Sequence, residues 1–300
     1  MDGLLLVDKP AGWTSHDAVA YIRRALGTKR AGHTGTLDPD ATGLVLALVG
    51  KSTRLAKYFE QDTKRYDAVM LLGTETDTQD ASGAVIRECG VPEISVASVR
   101  SVMDGFLGEI SQLPPMYSAV KVGGNPLYKS ARAGVEVERK QRAVTVHELS
   151  ISSSDGPRIG FTAVCSKGTY IRTLCRDIAE ALGSCGHMES LRRTGAGGYG
   201  VEQAISLETR PGREELEAAL IPIEEMLPAI PRAVAEGEVK AGISNGRAPF
   251  ADELVFSGHV PVESGPVMII DGEGRIAAIS TAMPDVSTGR LLLKLDAVFS

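Results

Sequence analysis

A mixed α+β fold is predicted by three features of this 300-residue chain. Short apolar or alternating runs recur at Leu4 to Val7, Leu44 to Val49, Tyr66 to Leu72, Val144 to Ile151 and Ile159 to Cys165. Each has the length and spacing of a strand. Helical stripes are fewer, over about 15–26, 96–107 and 171–182. Beyond Leu227-Pro-Ala-Ile-Pro231, which reads as a linker, apolar runs alternate with Gly and Pro turns around Leu254 to Ser257, Val267 to Ile270, Ile276 to Ile279 and Leu291 to Leu295. That pattern predicts a small β-rich unit.

The first strand ends at Lys9-Pro10. Thr14 is then placed to cap a helix, with Asp17 three residues on as an aspartate version of the capping box. Val19, Ile22 and Leu26 form that helix's buried stripe, and Gly27 suits its stop. After Leu44 to Val49 comes Gly50-Lys51-Ser52, the tail of a phosphate-binding loop. The full pattern needs a glycine where Val45 stands, so a nucleotide-triphosphate site is rejected. Ser52 is read instead as the cap of a helix running to about Phe59. Thr74 to Gly83 reads as a polar loop holding Asp77 and Asp80, without the ligand pattern of a calcium loop. Leu113 to Arg142 is basic, interrupted by Pro and Gly, and poor in core residues, so a projecting element is expected there. In the 171–182 helix, Ile171, Leu174, Cys175, Ile178 and Leu182 make the buried face. Arg172 and Arg176 lie off it, one turn apart at the positive end, against two local rules. Such violations are expected where function overrides stability, and a nearby acid such as Asp38 would relieve this one.

Hydrophobic content of 43% and charged content of 23% are those of a globular protein. No apolar run approaches the roughly 18 residues of a membrane helix, and Leu4 to Val7 is too short for a signal peptide. A cytoplasmic protein is expected, with Cys89, Cys165, Cys175 and Cys185 reduced. The net charge of -6 is unevenly spread: residues 201–300 carry 8 basic against 16 acidic residues, residues 1–200 carry 24 against 22. Within the latter, Arg23 to Arg65 holds nine basic and four acidic residues, and Lys121 to Arg142 six against two. Such clusters suit either a solvated face or a phosphate-binding footprint.

The stretch Gly32-His-Thr-Gly-Thr-Leu-Asp-Pro-Asp-Ala-Thr-Gly43 is the sharpest signal. Its glycines permit tight turns or close approach, and Pro39 pushes Asp38 out of the helical region. A carboxylate on a shaped loop serves as nucleophile, base or ligand, although Asp-Pro also opens ordinary turns. This stretch resembles the catalytic motif of the tRNA pseudouridine-55 synthase (TruB) family. The resemblance extends to Gly3-Leu-Leu-Leu-Val-Asp-Lys-Pro-Ala-Gly-Trp-Thr-Ser15, Lys64-Arg-Tyr66, Gly73-Thr-Glu-Thr-Asp-Thr78, Pro114-Pro-Met-Tyr-Ser-Ala-Val-Lys121, Lys167-Gly-Thr-Tyr-Ile-Arg172 and Leu191-Arg-Arg-Thr194, seven blocks in family order over about two thirds of the chain.

The resemblance implies a catalytic domain over residues 1–228, built around a mostly antiparallel sheet, with an RNA-gripping insertion at about 113–142 and a PUA-like module at 229–300. It implies isomerisation of uridine 55 in the TΨC loop of tRNA, with no metal or organic cofactor and no obligate protein partner, by a monomer. Asp38 is implied as nucleophile, with Arg172 beside it lowering its pKa. Tyr66 is implied as a catalytic residue that stacks on the target base or takes a proton from C2′ or C5, with an ordinary pKa of about 10 that favours stacking; His33 is implied to fill the place that base vacates, and Tyr170 and Leu191 to contact the flipped nucleotide. Lys9 and Pro10 match a structural motif beneath the site. Taken singly, Tyr66 and Leu191 would be core residues and His33 a loop residue; their joint occurrence in order assigns them to a site. A tRNA-binding folding chaperone with secondary isomerase activity is the competing reading, and intact Asp38, Tyr66 and Arg172 favour the enzyme.

Overall fold

The computed structural model describes residues 1–59, 63–118, 120–122, 124–127, 135, 137–258 and 264–299. Strand β1 (Gly3–Lys9) is nearly continuous in apolar residues and buried along its length. Helix α1 (Ser15–Leu26) starts as its sequence dictates. The Thr14 hydroxyl accepts the Asp17 N–H at 3.0 Å, and the Asp17 carboxylate accepts the Thr14 N–H at 2.8 Å. Such a cap contributes about 1 kcal/mol. Gly27, left-handed at φ 66°, ends the helix.

Strands β2 (Ala31–His33) and β3 (Thr42–Val49) flank the Asp38 loop. The Gly50–Tyr58 turn is a 3-10 helix, and here the sequence reading is corrected: Ser52 does not cap it. The Ser52 side chain is fully buried, with its hydroxyl 2.7 Å from the Gly3 carbonyl oxygen and 2.8 Å from that of Val49. It fastens the turn to β1 instead.

Strand β4 (Lys64–Leu72) follows, then β5 (Thr74–Thr76) and β6 (Val85–Glu88), a small ladder that takes in the start of the stretch read as loop. Helix α2 (Val96–Asp104) stops at Gly105, short of Leu107. After β7 (Gly108–Gln112), the expected projecting insertion falls partly outside the described residues. Its described part includes the short pair β8 (Lys121–Val122) and β9 (Asn125–Pro126). Then come β10 (Arg142–Asp155), β11 (Arg158–Cys165), helix α3 (Ile171–Ala181) and β12 (Gly186–Ala196). Three two-residue strands, β13 (Tyr199–Gly200), β14 (Ile205–Ser206) and β15 (Ile221–Pro222), and helix α4 (Arg213–Ala218) complete this part.

The main sheet runs β14-β1-β3-β12-β4-β11-β10-β7, with β2, β13 and β15 at its side. Its joins are antiparallel except β14 with β1 and β3 with β12. The mostly antiparallel sheet expected from the sequence is therefore present. Along β1 and β3 the side chains alternate between two cores. Leu5, Val7, Val45, Ala47 and Val49 enter one, beneath α1 and α3. Leu4, Leu6, Leu44, Leu46 and Leu48 enter the other.

That second core reaches the C-terminal part. β16 (Arg232–Val234), helix α5 (Gly237–Ser244), β17 (Val255–Phe256), β18 (Gly265–Ile270), β19 (Ile276–Pro284) and β20 (Leu291–Val298) build a separate sheet in the order β17-β16-β18-β19-β20. Met268, Ile276 and Ile279 from it pack with Leu55, Phe59, Met226 and Leu227 against the β1 and β3 leucines. Polar ties reinforce the contact. The Ile276 N–H donates to the Glu224 carboxylate at 3.1 Å, and Lys57 pairs with Asp296 at 2.8 Å.

Cys89 and Cys185 form a disulfide, with Cα atoms 5.7 Å apart. This corrects the expectation of four reduced thiols; Cys165 and Cys175 are free and buried. The partners lie 96 positions apart, so no local spacing reveals them. Main-chain bonds bring them together: the Gly73 N–H donates to the Cys185 carbonyl and the Cys89 N–H to the Gly73 carbonyl, each at 2.8 Å.

Candidate active site

The loop carrying Asp38 is held from several sides. The buried Ser15 hydroxyl accepts the Leu37 N–H at 2.8 Å. The Gly12 N–H donates to the Pro39 carbonyl at 3.0 Å. Lys9, fully buried, donates from Nζ to the carbonyls of Pro10, Trp13 and Pro39 at 2.9, 2.6 and 3.0 Å. Burial lowers the Lys9 pKa to about 8 against the pull of Asp40 and Asp38, which leaves it largely charged at neutral pH. Lys9 thus links the opening motif to the loop, the structural role the resemblance implies. Of the loop's three glycines, only Gly43 is obligatory on both counts, backbone and space. It sits at φ 105°, and a Cβ there would meet the Arg193 carbonyl oxygen at 2.2 Å.

Asp38 and Arg172, 134 residues apart in sequence, form an ion pair: Nε lies 3.1 Å from one carboxylate oxygen and Nη2 3.4 Å from the other. The Arg172 side chain is only 6% exposed, whereas that of Asp38 is 36% exposed. Arg172 is therefore not off the buried face, as its spacing suggested. It projects into a polar cluster where every arm of its fork has a partner. Nη1 donates to the Thr78 carbonyl at 3.1 Å and to Asp80 at 3.3 Å, and Nη2 to the Tyr117 carbonyl at 2.8 Å. Arg176 pairs with its own neighbour Asp177 at 2.6 Å.

Asp80, by sequence one more acid of a polar loop, belongs to the site. One of its carboxylate oxygens faces Arg172. The other accepts the Thr78 hydroxyl at 2.7 Å and the N–H and hydroxyl of Ser82 at 3.1 and 2.6 Å. Between them Gln79 sits at φ 62°, an unusual value for a non-glycine residue, with its side chain accepting the Thr173 hydroxyl at 3.0 Å. The only sequence signal for this arrangement is the density of Thr, Asp and Ser. Gln112 is the second residue missed. Buried at the end of β7, it takes the Tyr170 N–H at 3.0 Å and donates to the Tyr170 carbonyl at 3.3 Å, fixing the start of α3.

Burial raises the Asp38 pKa above the usual carboxylate range, and Arg172 pulls it back down. The expected lowering by Arg172 is present but is outweighed by desolvation. Tyr66 stands on β4 near enough for its phenol to feel the Asp38 charge; burial raises its pKa too, with Arg193 opposing. His33 closes β2 and packs edge-on to His16, ring centres 5.2 Å apart. Burial, then His16, lowers its pKa, and among the described residues its Nδ1 has no hydrogen-bond partner. Leu191, opposite Ala68 on β4, lines a cleft of about 290 Å³ with Asp40, Thr42, Asp67, Ser153 and Arg192. Asp38, Arg172 and Tyr66 are thus drawn together, Tyr170 is placed by the turn into α3, and His33 stands at the loop's entry.

A model described as TruB family pseudouridylate synthase (N terminal domain) matches residues 23–171, and one described as tRNA pseudouridylate synthase B C-terminal domain matches residues 172–228. The tRNA pseudouridine synthase B of Geobacter sulfurreducens is 38% identical over 100% of both chains. That of Geobacillus kaustophilus is 45% identical over 82% of this chain and 90% of its own. A chain in the crystal structure of a Cbf5-Nop10-Gar1 complex superposes with a TM-score of 0.74 at 26% identity, covering 99% of this chain and 84% of that one. With a catalytic-type loop, an arginine-paired carboxylate and relatives matched end to end, this chain belongs to the TruB family of pseudouridylate synthases.

Proposed function

We infer that this chain is a tRNA pseudouridine synthase whose target is uridine 55 of the TΨC loop. The Asp38–Arg172 ion pair carries the reading: a carboxylate with an open face, backed by a guanidinium whose donors are all engaged. Pseudouridine formation breaks the N1–C1′ bond, turns the uracil and rejoins it through C5, with the C5 proton removed and N1 ending protonated. Asp38 acts as the nucleophile, by attack on C1′ or by assisting departure of the base as a glycal. Both routes need the ionised carboxylate, and Arg172 keeps it available against burial.

Tyr66 stacks on the target base. Its raised pKa keeps the hydroxyl protonated near neutrality, so little phenolate is present to take a proton, which supports stacking over base catalysis. A base inside a folded loop must be flipped out for reaction. Neutral His33 takes the vacated place, and Tyr170 and Leu191 contact the extruded nucleotide. The exposed Arg24, Lys29 and Arg30 at the end of α1 supply phosphate contacts to the T arm, together with the insertion at about 113–142. In this reading residues 1–228 do the chemistry and residues 229–300 form a PUA-like module. The protein works as a cytoplasmic monomer without an obligate partner.

Incubation with unmodified tRNA transcript, without nucleotide and with chelator present, tests the reading. One pseudouridine, at position 55, is the expected product. Modification at another position, or none, would sink it.

The same reading fixes a pH dependence. Turnover requires ionised Asp38, so the rate falls as pH drops through a pKa held above the usual carboxylate range. Arg172→Met removes the charge that opposes burial, so the acid limb of the single-turnover profile moves to higher pH, and Arg172→Lys moves it less. An unmoved limb in a folded Arg172→Met variant would show that another group controls it.

A further inference from the structure

Arg193 heads the fully buried side chains of the described residues by size, at 2% exposure. Its hydrogen bonds go to main-chain carbonyls, from Nε to Leu44 and from Nη2 to Gly35 at 3.2 Å, and among the described residues no carboxylate pairs with it. Burying a guanidinium without a counter-charge is costly, and a leucine would fill the space at less expense. The two carbonyls stand at opposite ends of the loop that carries Asp38. Arg193 is also register partner to Gly43 on β3 and to Tyr66 on β4. Residues directly opposite across a strand pair share a face, so the guanidinium lies on the Tyr66 side of the sheet. There its positive charge opposes the rise that burial gives the Tyr66 pKa. The charged groups that act most on Asp38 are Arg172, Asp80, Lys9 and Asp40.

We propose that Arg193 is a positioning residue for the isomerisation, pinning both ends of the Asp38 loop from the strand position directly opposite Tyr66, so that one buried side chain sets the spacing between carboxylate and aromatic ring. The inference rests on the proposed roles of Asp38 and Tyr66. It divides the labour between two arginines: Arg172 serves the carboxylate and Arg193 the ring and the loop. A lysine in its place keeps the charge but lacks the planar fork that reaches both carbonyls at once.

The test compares Arg193→Lys and Arg193→Met in the full chain, with tRNA affinity, single-turnover rate at saturating tRNA, and the ¹³Cζ resonance of Tyr66 assigned from Tyr66→Phe. Misplacing reacting groups by about 1 Å costs on the order of 100-fold. The expected result is a rate loss of that order for Arg193→Met and about tenfold for Arg193→Lys, with affinity within about threefold of wild type. The Tyr66 resonance should shift in Arg193→Lys while the other tyrosines stay in place. An unmoved Tyr66 resonance, or a rate within about threefold of wild type, would overturn the proposal. If Arg193→Met does not fold, Arg193→Lys decides alone. The functional reading fails separately: it falls if Asp38→Asn keeps turnover, whereas an inactive Asp38→Asn beside unimpaired Arg193 variants sinks only this inference.

Discussion

Asp38→Asn is expected to bind tRNA within a few-fold of the parent chain and to form no pseudouridine. Most affinity for a nucleic acid comes from its phosphates, and Asp38 contacts none in the proposed reading. The substitution keeps the side-chain volume and leaves an amide oxygen to face Arg172. That guanidinium still has Asp80 and the Thr78 and Tyr117 carbonyls, so the site should stay assembled. Only the negative charge and the nucleophilic lone pair are lost. Residual turnover above a few per cent, roughly 2–3 kcal/mol of lost barrier stabilisation, would place the nucleophile elsewhere. Single-turnover assays with saturating enzyme separate this from a binding defect.

Ending the chain after Pro228 is expected to have the largest effect on stability. The sequence reads Leu227 to Pro231 as a linker, and a true linker there would let a chain cut at Pro228 fold and modify an isolated T-arm stem-loop. The packing argues for a different outcome. Removal of Met268, Ile276 and Ile279 uncovers leucines of β1 and β3 together with Leu55 and Phe59. Each large apolar side chain that regains water costs about 1.5–3 kcal/mol, and a few of them consume most of the roughly 5–15 kcal/mol that holds a domain folded. The truncated chain should aggregate or melt without cooperativity, measured by size-exclusion chromatography and near-ultraviolet circular dichroism. A monomeric, cooperatively melting fragment with full stem-loop activity would show that the leucine face tolerates exposure.

Local chemistry was legible wherever it involves neighbours in sequence. The Thr14–Asp17 box, the Gly27 stop, the strands around Leu44 to Val49 and Tyr66 to Leu72, and the α3 stripe all emerge from spacing alone. Asp38 and Arg172 were legible as a pair because Arg172 breaks local rules that an acid would mend. Asp80 was not: it meets Arg172 across 92 positions, and its own surroundings look like any polar turn. Nor was the shared core. A strand buried on both faces reads as a plain apolar run, which does not say whether a helix or a second sheet covers it. β16 and α5 escaped for a related reason, since three residues of strand and a helix with one fully buried side chain leave little periodicity to detect.

The close approach at Gly43 has a further consequence for the Asp38 loop. Because β3 is apolar at consecutive positions, sliding it by one residue would keep it greasy on both sides while sending every side chain into the opposite core. Hydrophobicity therefore barely discriminates between neighbouring alignments of this strand. Steric exclusion does. Only a residue without a Cβ can lie against the Arg193 backbone, and β3 has one such residue before Gly50, at Gly43. That position acts as an index mark, locating the strand along its own axis to within one step of about 3.3 Å. Asp38 lies only five positions before Gly43, so the mark also fixes where the carboxylate stands relative to the guanidinium that faces it.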